Sequence, residues 1–324
     1  MPAPRDPQTL IEAARMYYAD RRSQQEIATA LGTSRSNVSR MLAAALEQGI
    51  VEIRINDPAG RDRGLETALQ STFGLREAWV AQRVARAVGA VGERVGALAA
   101  QVLLAAIRDR MTVALSWGRA LQTMVWSTTA DRGYSVQLVQ LVGGLSSITD
   151  EISGQELVRE LAARIGASYR YLHAPAVLTT VGSRNALLSE KSIQQALDMA
   201  RRADIAFVGI GTPSHGSSAA VLAALNLDAE DEKAFWAARP VGDIAARYFD
   251  GTGQEIRGAV HDRVLAVTLA EVAEIPTVVG VAHGRVKAPG VLGALRGHLL
   301  DILVCDEGLA RGLLADASPE RFAS

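Results

Sequence analysis

The chain has 324 residues, of which 48% are hydrophobic, 5% aromatic and 21% charged. Since domains have roughly 150 residues, this length predicts about two domains. The hydrophobic fraction excludes a mostly disordered chain. The 34 basic and 35 acidic residues give a formal net charge of −1, which excludes polyanion binding by bulk charge alone. Any contact with nucleic acid must therefore come from a local surface.

Cysteine usage and the apolar runs predict a cytoplasmic protein with no membrane partner. The single cysteine, Cys305, excludes an intramolecular disulfide and a cysteine-cluster metal site. Residues 1–7 (MPAPRDP) lack the apolar segment of a secretory signal. The most apolar run, residues 98–107, is shorter than the roughly 20 residues that span a bilayer.

A helix-turn-helix is predicted near the N-terminus, after a first helix over about residues 9–19. Residues 24–31 have helical periodicity, Gly32 supplies the left-handed residue that ends this helix, and Ser34 is suited to cap the next one. A helix, a glycine-containing turn and a second helix at this spacing are typical of DNA-binding proteins. The residues that the second helix is expected to bury are Val38, Met41, Leu42 and Leu46.

The polar start of that second helix is the expected DNA-reading surface, because the N-terminal residues of such a helix meet base edges. The predicted DNA-binding residues are Ser34, Arg35, Ser36, Asn37, Ser39 and Arg40. Gly49 is expected to end the helix, ahead of a short strand, or wing, over residues 51–55. An ordinary helical hairpin with a solvated polar face is the alternative. Residues 1–56 carry seven Arg against six acidic residues, so we expect several heads to bind DNA together.

Turn formers and charges crowd residues 57–64, which are predicted to link this head, residues 1–56, to a body over residues 65–324. In the body, short runs rich in Val, Ile and Leu alternate with amphipathic stretches, a pattern typical of a parallel α/β sheet covered on both faces. The predicted strands are residues 111–115, 136–142, 205–210, 277–282 and 301–305. The predicted helices are residues 86–108, 118–127, 151–165, 189–202, 288–297 and 307–315.

Four glycine-containing loops follow predicted strands, at residues 115–119, 142–144, 208–212 and 282–287. Because the carboxyl ends of parallel strands meet at one edge of a sheet, we expect these loops to form one pocket, although each alone also fits a plain turn. Loop amides and Lys287 suit a phosphate; a solvated helix-start lysine is the alternative. The first loop is not a nucleophile elbow, because Ala114 stands where the first glycine is needed, and the third loop has Ser214 in place of the last glycine of a dinucleotide fingerprint.

Other polar residues give weaker indications. Asp243 follows a glycine and suits either sugar hydroxyls or a turn. Asp306 and Glu307 come after a strand and are expected to cap a helix. The histidines show no i,i+4 pairing, so we expect no metal site. Their positions are His173, His215, His261, His283 and His298.

Over nearly its whole length the chain resembles the SorC (DeoR-related) family of bacterial sugar-responsive transcriptional regulators. The motifs that carry the resemblance, in family order, are GTSRSNVSRML, EQGIVEIRI, VALSWGRAL, VQLVGGL, YLHAPAV, ADIAFVGIGT, VGDIAARYFD and HGRVKAPGVLGALRGHLLDILVCDEGLARGLL. The resemblance implies an α/β chain with an N-terminal winged helix-turn-helix and a C-terminal Rossmann-like effector domain. That domain is similar in fold to ribose-5-phosphate isomerase and glucosamine-6-phosphate deaminase. A phosphorylated sugar effector and assembly as dimers or tetramers are also implied.

The resemblance also implies an effector pocket. Its residues map onto Ser116, Trp117, Gly118, Arg119, Gly143, Gly144, Gly209, Gly211, Thr212, Asp243 and Lys287. The sequence departs from the family at Ala120, where threonine is frequent, and at His283, where the pattern is Ala-Gly-Gly. Pro289 is expected to interrupt the start of the following helix. These departures leave the effector open among a sugar, a polyol, a sugar phosphate and another small anion.

Two functions from different classes fit such a pocket. One is a ligand-controlled transcriptional regulator of a carbohydrate-metabolism operon, with double-stranded operator DNA and a carbohydrate effector as partners and no cofactor. The other is a sugar-phosphate isomerase or deaminase with an accessory head. An isomerase has no need of a helix-turn-helix, and Asp243 is the only convincing carboxylate base for its chemistry. The sequence therefore favours the regulator, without enzymatic activity.

Overall fold

The computed structural model describes residues 7–51, 60–82, 91–145 and 153–317. The chain forms two compact units, residues 1–56 and 57–324. Within the described ranges, every helix is too short or too polar to cross a membrane.

The first unit, called the head below, packs three helices around a small apolar core. These are α1 (Pro7–Ala14), which continues as a π-helical turn over Arg15–Ala19, α2 (Gln24–Ala30) and α3 (Arg35–Glu47). The buried core residues are Leu10, Ala13, Ile27, Ala28, Val38, Met41 and Leu42. The prediction that Leu46 is buried is wrong, since its side chain is 40% exposed. The helical period places Ala45, seven residues after Val38, on the buried stripe instead.

The turn between α2 and α3 confirms the predicted cap chemistry. Gly32 has a φ of +62°, the left-handed conformation that favours glycine. The Ser34 hydroxyl accepts a hydrogen bond from the Asn37 N–H at 3.2 Å and caps α3. The helix ends at Glu47, just before Gly49, whose φ is +69°. The predicted wing falls on residues that, apart from Val51, lie outside the described ranges.

The second unit, called the body below, is a mixed α/β structure. Its strands are β1 (Glu77–Ala81), β2 (Thr112–Leu115), β3 (Gln137–Gln140), β4 (Ser168–Arg170), β5 (Ile205–Gly209), β6 (Gly242–Ile244), β7 (Arg247–Phe249), β8 (Val278–Val281) and β9 (Ile302–Asp306). Seven strands form one parallel sheet in the order β1-β9-β8-β5-β2-β3-β4, while β6 and β7 form an antiparallel hairpin. The five predicted strands are confirmed as β2, β3, β5, β8 and β9.

Helices cover both faces of the sheet, as the unbroken apolar runs predicted. They are α4 (Arg63–Phe73), α5 (Val91–Ala106), α6 (Arg119–Ser127), α7 (Gly154–Ile165), α8 (Val181–Ser189), α9 (Lys191–Arg201), α10 (Gly216–Leu225), α11 (Ala229–Ala237), α12 (Ala259–Arg263), α13 (Leu269–Ala273), α14 (Ala288–Arg296) and α15 (Glu307–Ala317). In β9, Ile302 and Val304 pack with α5, α6 and α7. Leu303 and Cys305 point to the opposite core, which contains residues of α4, α9, α10, α14 and α15.

Two local predictions need correction. Residues 60–64 are not linker, because Asp62 caps α4 by accepting the Leu65 N–H at 3.0 Å and Arg61 is only 7% exposed. Their charges are used in a helix cap and a buried ion pair rather than in solvent. Pro289 does not interrupt α14 but lies in its first turn, where a backbone N–H has no helical partner to lose.

Candidate functional site

A cavity of about 400 Å³ lies at the carboxyl ends of β2, β5 and β8. Three of the four predicted glycine loops line it, together with the start of α10 and the β6–β7 hairpin. The predicted site residues in its lining are Ser116, Trp117, Gly118, Arg119, Gly209, Gly211, Asp243 and Lys287. Strand order brings these loops to one edge of the sheet, as expected for parallel strands.

Ser116 fastens two of these loops to each other. Its backbone N–H donates to the Phe207 carbonyl at 3.1 Å, and its hydroxyl accepts the Gly209 N–H at 3.0 Å. Gly118 follows with a φ of +112° and precedes the first residue of α6, so the helix N-terminus opens at the cavity. The Ser116 hydroxyl therefore positions the β5 loop, besides lining the cavity.

Asp243 is buried in the cavity wall and is held through both its carboxylate and its backbone carbonyl. One oxygen accepts the Ser218 hydroxyl, and the other accepts the Ala246 N–H at 3.1 Å. The Asp243 carbonyl accepts the Gly211 N–H at 2.9 Å. A side chain at Gly211 would collide with both Asp243 and Ser218, so only glycine allows this approach. The hydroxyl of Tyr248 donates to the Ser218 carbonyl.

Burial dominates the protonation of this cluster. It raises the pKa of Asp243, against the opposing effects of the Ser218 hydrogen bond, the Lys287 charge and the Ala246 N–H. Burial, and secondarily the Asp243 charge, raise the pKa of Tyr248 well above its usual value. A carboxyl group in this environment can accept hydrogen bonds when ionised and donate one when protonated, which suits the hydroxyl groups of a carbohydrate.

The loop after β8 supplies the basic side of the cavity. The Gly284 N–H donates to Asp306 Oδ1 at 2.6 Å, which ties the loop to the end of β9. The other oxygen of Asp306 accepts the Gly308 N–H at 2.9 Å, which confirms the predicted cap at the start of α15. Lys287 ends a short 3₁₀ turn in this loop and lines the cavity with Arg119.

His283 occupies the same loop and packs against the first turn of α5. A side chain at Gly92 would lie 3.0 Å from its Nε2 atom. Burial lowers the pKa of His283, the nearby Asp306 raises it, and Lys287 and Arg119 lower it. The net shift favours a neutral imidazole at pH 7.

The structure does not place Gly143, Gly144 and Thr212 in the cavity lining, although the resemblance mapped all three to the pocket. A side chain at Gly143 would lie 2.6 Å from the Pro175 carbonyl group, so this glycine permits a close approach of two backbone segments. Gly144 lines a separate cavity beside Gln155. Close backbone packing therefore accounts for part of the glycine pattern.

Some further lining residues belong to the loops that were predicted to form the pocket: Ile210, Ala282, His283, Gly284 and Val286, with Ala120 just after the first loop. The residues that the sequence reasoning missed lie mostly at the start of α10: His215, Gly216, Ser217, Ser218, Ala245 and Val281. The Gly-Ser-Ser sequence ahead of an alanine-rich run was the available signal for the α10 start. Ala245 and Val281 carried no local signal, because they become lining residues only where distant segments meet.

In the head, the predicted DNA-binding residues occupy the first two turns of α3. Arg35, Ser36, Ser39 and Arg40 are exposed, whereas Val38 between them is buried. Asn37 differs from them: its side chain is half-buried and donates to the Thr33 hydroxyl at 2.8 Å. This bond fastens the turn to the helix.

The chain is similar to known proteins over both the head and the body. The Sugar-bind family model, which describes a sugar-binding domain, matches residues 57–315. The chain is 31% identical over 309 residues to the deoxyribonucleoside regulator of Bacillus subtilis (strain 168), covering 95% of this chain and 98% of that one. It is 30% identical over 316 residues to the sorbitol operon regulator of Klebsiella pneumoniae, covering 95% and 98%. The crystal structure of full-length SorC from Klebsiella pneumoniae matches with a TM-score of 0.71 and 27% identity, covering 95% and 98%.

A parallel α/β unit with a cavity at its strand ends, in one chain with a small helical head, defines the class of sugar-binding transcriptional regulators. The chain belongs to the SorC family of these regulators, which confirms the resemblance found in its sequence. Its relatives are named as regulators, which points to a non-enzymatic function.

Proposed function

We propose that this chain regulates a carbohydrate-metabolism operon by binding operator DNA through its head, under the control of a sugar or sugar phosphate bound in the cavity. The observation that carries the proposal is the composition of the cavity. It combines the buried Asp243 carboxyl group with two cationic side chains, Arg119 and Lys287. The carboxyl group suits sugar hydroxyls, and the cations with the loop amides suit a phosphate or another small anion.

The proposed DNA-contact surface is the start of α3 in a winged helix-turn-helix. Arg35 and Arg40 are long, cationic and exposed, so they can reach guanine edges or phosphates. Ser36 and Ser39 suit phosphate oxygens, and Ser34 contributes by capping the helix that presents them. Asn37 is the remaining proposed contact: its side-chain amide donates one hydrogen to Thr33 and suits adenine with its other groups.

An isomerase or deaminase is the second candidate, because the body is proposed to share the fold of ribose-5-phosphate isomerase and glucosamine-6-phosphate deaminase. Such chemistry requires an acid and a base placed on either side of the reacting carbons. Among the residues lining the cavity, Asp243 is the only carboxyl group, so no second carboxyl group is placed there as its partner in acid–base chemistry. We therefore propose binding without turnover.

Assembly follows from the weak charge of the head. Seven Arg against six acidic residues in residues 1–56 allow few net phosphate contacts, so tight binding needs at least two heads on one site. Dimers or tetramers match palindromic operators, whose half-sites are separated by whole helical turns. The assembly then has a DNA-competent and a DNA-incompetent arrangement. The effector can change DNA affinity only by the factor by which its own affinity differs between these two arrangements.

The full-length protein tests this proposal in three steps. A thermal-shift screen over ribose 5-phosphate, deoxyribose 5-phosphate, glucose 6-phosphate, sorbitol 6-phosphate and their unphosphorylated forms identifies compounds that raise Tm. Selection from a random duplex library identifies the preferred DNA, and its affinity is then measured with and without those compounds. Product analysis of the same mixtures reports turnover. Sugar turnover without sequence-selective DNA binding would contradict the proposal.

A further inference from the structure

At the beginning of the body, the buried Arg61 and Glu66 lie beside the half-buried Trp79, and we call these three residues the linker clamp. Arg61 donates from Nε to Glu66 Oε1 at 2.7 Å and from a terminal nitrogen to Oε2 at 2.9 Å. Its guanidinium carbon lies 3.3 Å from the centre of the Trp79 ring. Arg61 is 7% exposed and Glu66 3%, so this bidentate pair is shielded from solvent.

The linker clamp holds the start of the body against β1, the outermost strand of the sheet. The Asp62 N–H donates to the Val80 carbonyl at 2.9 Å, and the Gln82 N–H donates to the Gly60 carbonyl at 2.8 Å. Between these bonds, the Val80 N–H donates to Glu66 Oε1 at 3.0 Å. The free edge of β1 is thus covered by the residues that directly follow the connection to the head.

The same strand end is connected to the cavity. Ala81, at the end of β1, is paired in register with Asp306 of β9. Asp306 accepts the N–H of Gly284, a lining residue of the cavity. The chain that leaves β1 re-enters the described structure at α5, whose Gly92 lies against His283 of the cavity. A short series of hydrogen bonds and strand pairing therefore joins the loop after β8, which contains Gly284, to Gly60 and Arg61.

We propose that Arg61 and Glu66 are positioning residues for regulation. The linker clamp anchors the connection to the head on the end of β1, which is joined through Asp306 to the loop after β8. When an effector occupies the cavity, Gly284 and Asp306 shift. Because the linker clamp holds residue 60 rigidly on β1, residue 60 moves with them. This rests on the proposed function only where DNA affinity is the readout. The coupling between the clamp and Gly284 belongs to the body and is measurable without DNA.

Hydrogen exchange on the full chain tests the coupling. Arg61→Met removes the guanidinium but keeps an apolar stem, and the double variant Arg61→Met/Glu66→Gln removes both charges, so no buried carboxylate is left unpaired. We expect the Gly284 N–H to exchange about five-fold faster or more in both variants, a typical coupling strength. The Leu141 N–H, which donates to Leu115 at 2.9 Å in the opposite half of the sheet, serves as the internal reference.

A matched control separates coupling from general destabilisation. Leu161→Ala opens a cavity in a fully buried position of α7 and should accelerate Gly284 and Leu141 by the same factor. Equal acceleration of the two amides in the clamp variants would overturn the coupling. Arg61→Lys keeps the charge but not the bidentate geometry, and we expect it to recover part of the Gly284 protection.

DNA binding then tests the regulatory role. With the selected duplex and the panel compound that raises Tm most, we expect the double variant to bind DNA within about two-fold of wild type when no compound is added. Its response to the compound should fall about five-fold or more. An undiminished response would overturn the regulatory role of the clamp. If the wild-type chain binds no duplex selectively, the proposed function fails, while the exchange experiment still decides the coupling.

Discussion

The head and the body present their candidate contact residues in opposite ways. In the head, Arg35 and Arg40 project from one helix into solvent, and residues within a few positions of them hold that helix in place. In the body, Asp243 is 5% exposed and is held by Ser218 and Gly211, which are 25 and 32 positions away in the chain. A DNA-contact surface can consist of side chains that one helix presents and that do not contact each other. A small-molecule site instead depends on contacts between segments that are distant in the chain.

The largest expected effect comes from Gly211→Ala in the body. A Cβ there would overlap the Asp243 carboxylate and the Ser218 hydroxyl, so we expect a loss of about 3 kcal/mol in the free energy of unfolding, at the upper end for overpacking. Binding of the panel sugars should also be lost, as urea unfolding and calorimetry would show. In the control Gly182→Ala, the new Cβ finds only the Thr180 hydroxyl at 3.7 Å in a helix, and stability should hold or rise. Wild-type stability of Gly211→Ala would show that the site is not preorganised.

In the head, Arg35→Ala and Arg40→Ala should each weaken binding of the selected duplex by about 2 kcal/mol per half-site. Thermal unfolding should stay unchanged, because both side chains are exposed. Fluorescence anisotropy at fixed salt measures the affinity, and the exposed Arg202→Ala in the body controls for the lost charge. If the head variants bind like the control, another face of the head contacts DNA and the contrast with the body loses its basis.

A smaller effect is expected for Lys287→Ala at the basic side of the cavity. Removing this cation should weaken a phosphorylated effector by about 1.5 kcal/mol, while an unphosphorylated sugar loses less. Titration calorimetry compares the two, and the exposed Lys191→Ala is the matched control. Equal loss for both sugars would contradict the assignment of Lys287 to an anionic group of the effector.

The smallest expected effect is a pH dependence of body stability caused by His283. Burial lowers the pKa of His283 in the folded chain, so its contribution to stability is present above the unfolded value near 6.5. That contribution is lost as pH falls through the folded value. Wild type should therefore lose more unfolding free energy than His283→Asn between about pH 7 and pH 5. The exposed His298→Asn, at a φ of +52° that asparagine tolerates, should follow wild type.

Identical pH profiles for wild type and His283→Asn would show that this imidazole has the same pKa in the folded and the unfolded chain, which would contradict the prediction. Asp243 does not cause the same loss of stability between pH 7 and pH 5. Burial raises its pKa above the unfolded value, so its contribution is present at low pH and is lost as pH rises through the folded value. The two groups therefore change stability in opposite directions as pH falls.

Local chemistry in the sequence was sufficient to predict much of this molecule. The Ser34 cap, the Gly32 turn and the buried stripe of α3 depend on residues within one or two helical turns, and the structure has all three, with Ala45 in place of Leu46 on the stripe. The unbroken apolar runs predicted five strands of the parallel sheet, because a strand that is covered on both faces is apolar along its whole length. The glycine loops after those strands then indicated the edge of the sheet where the cavity lies.

Tertiary structure alone decided how those loops combine. The order β1-β9-β8-β5-β2-β3-β4 makes neighbours of strands that are distant in the chain. The packing of the β6–β7 hairpin against the end of β5 brings Gly211 to Asp243, while Gly143 packs on Pro175. The same order turned apparent linker residues into a buried ion pair between Arg61 and Glu66 on the edge of β1. Helix caps and periodicity are set by neighbours in sequence, whereas burial and cavity lining are set by neighbours in space, and only the folded sheet specifies those.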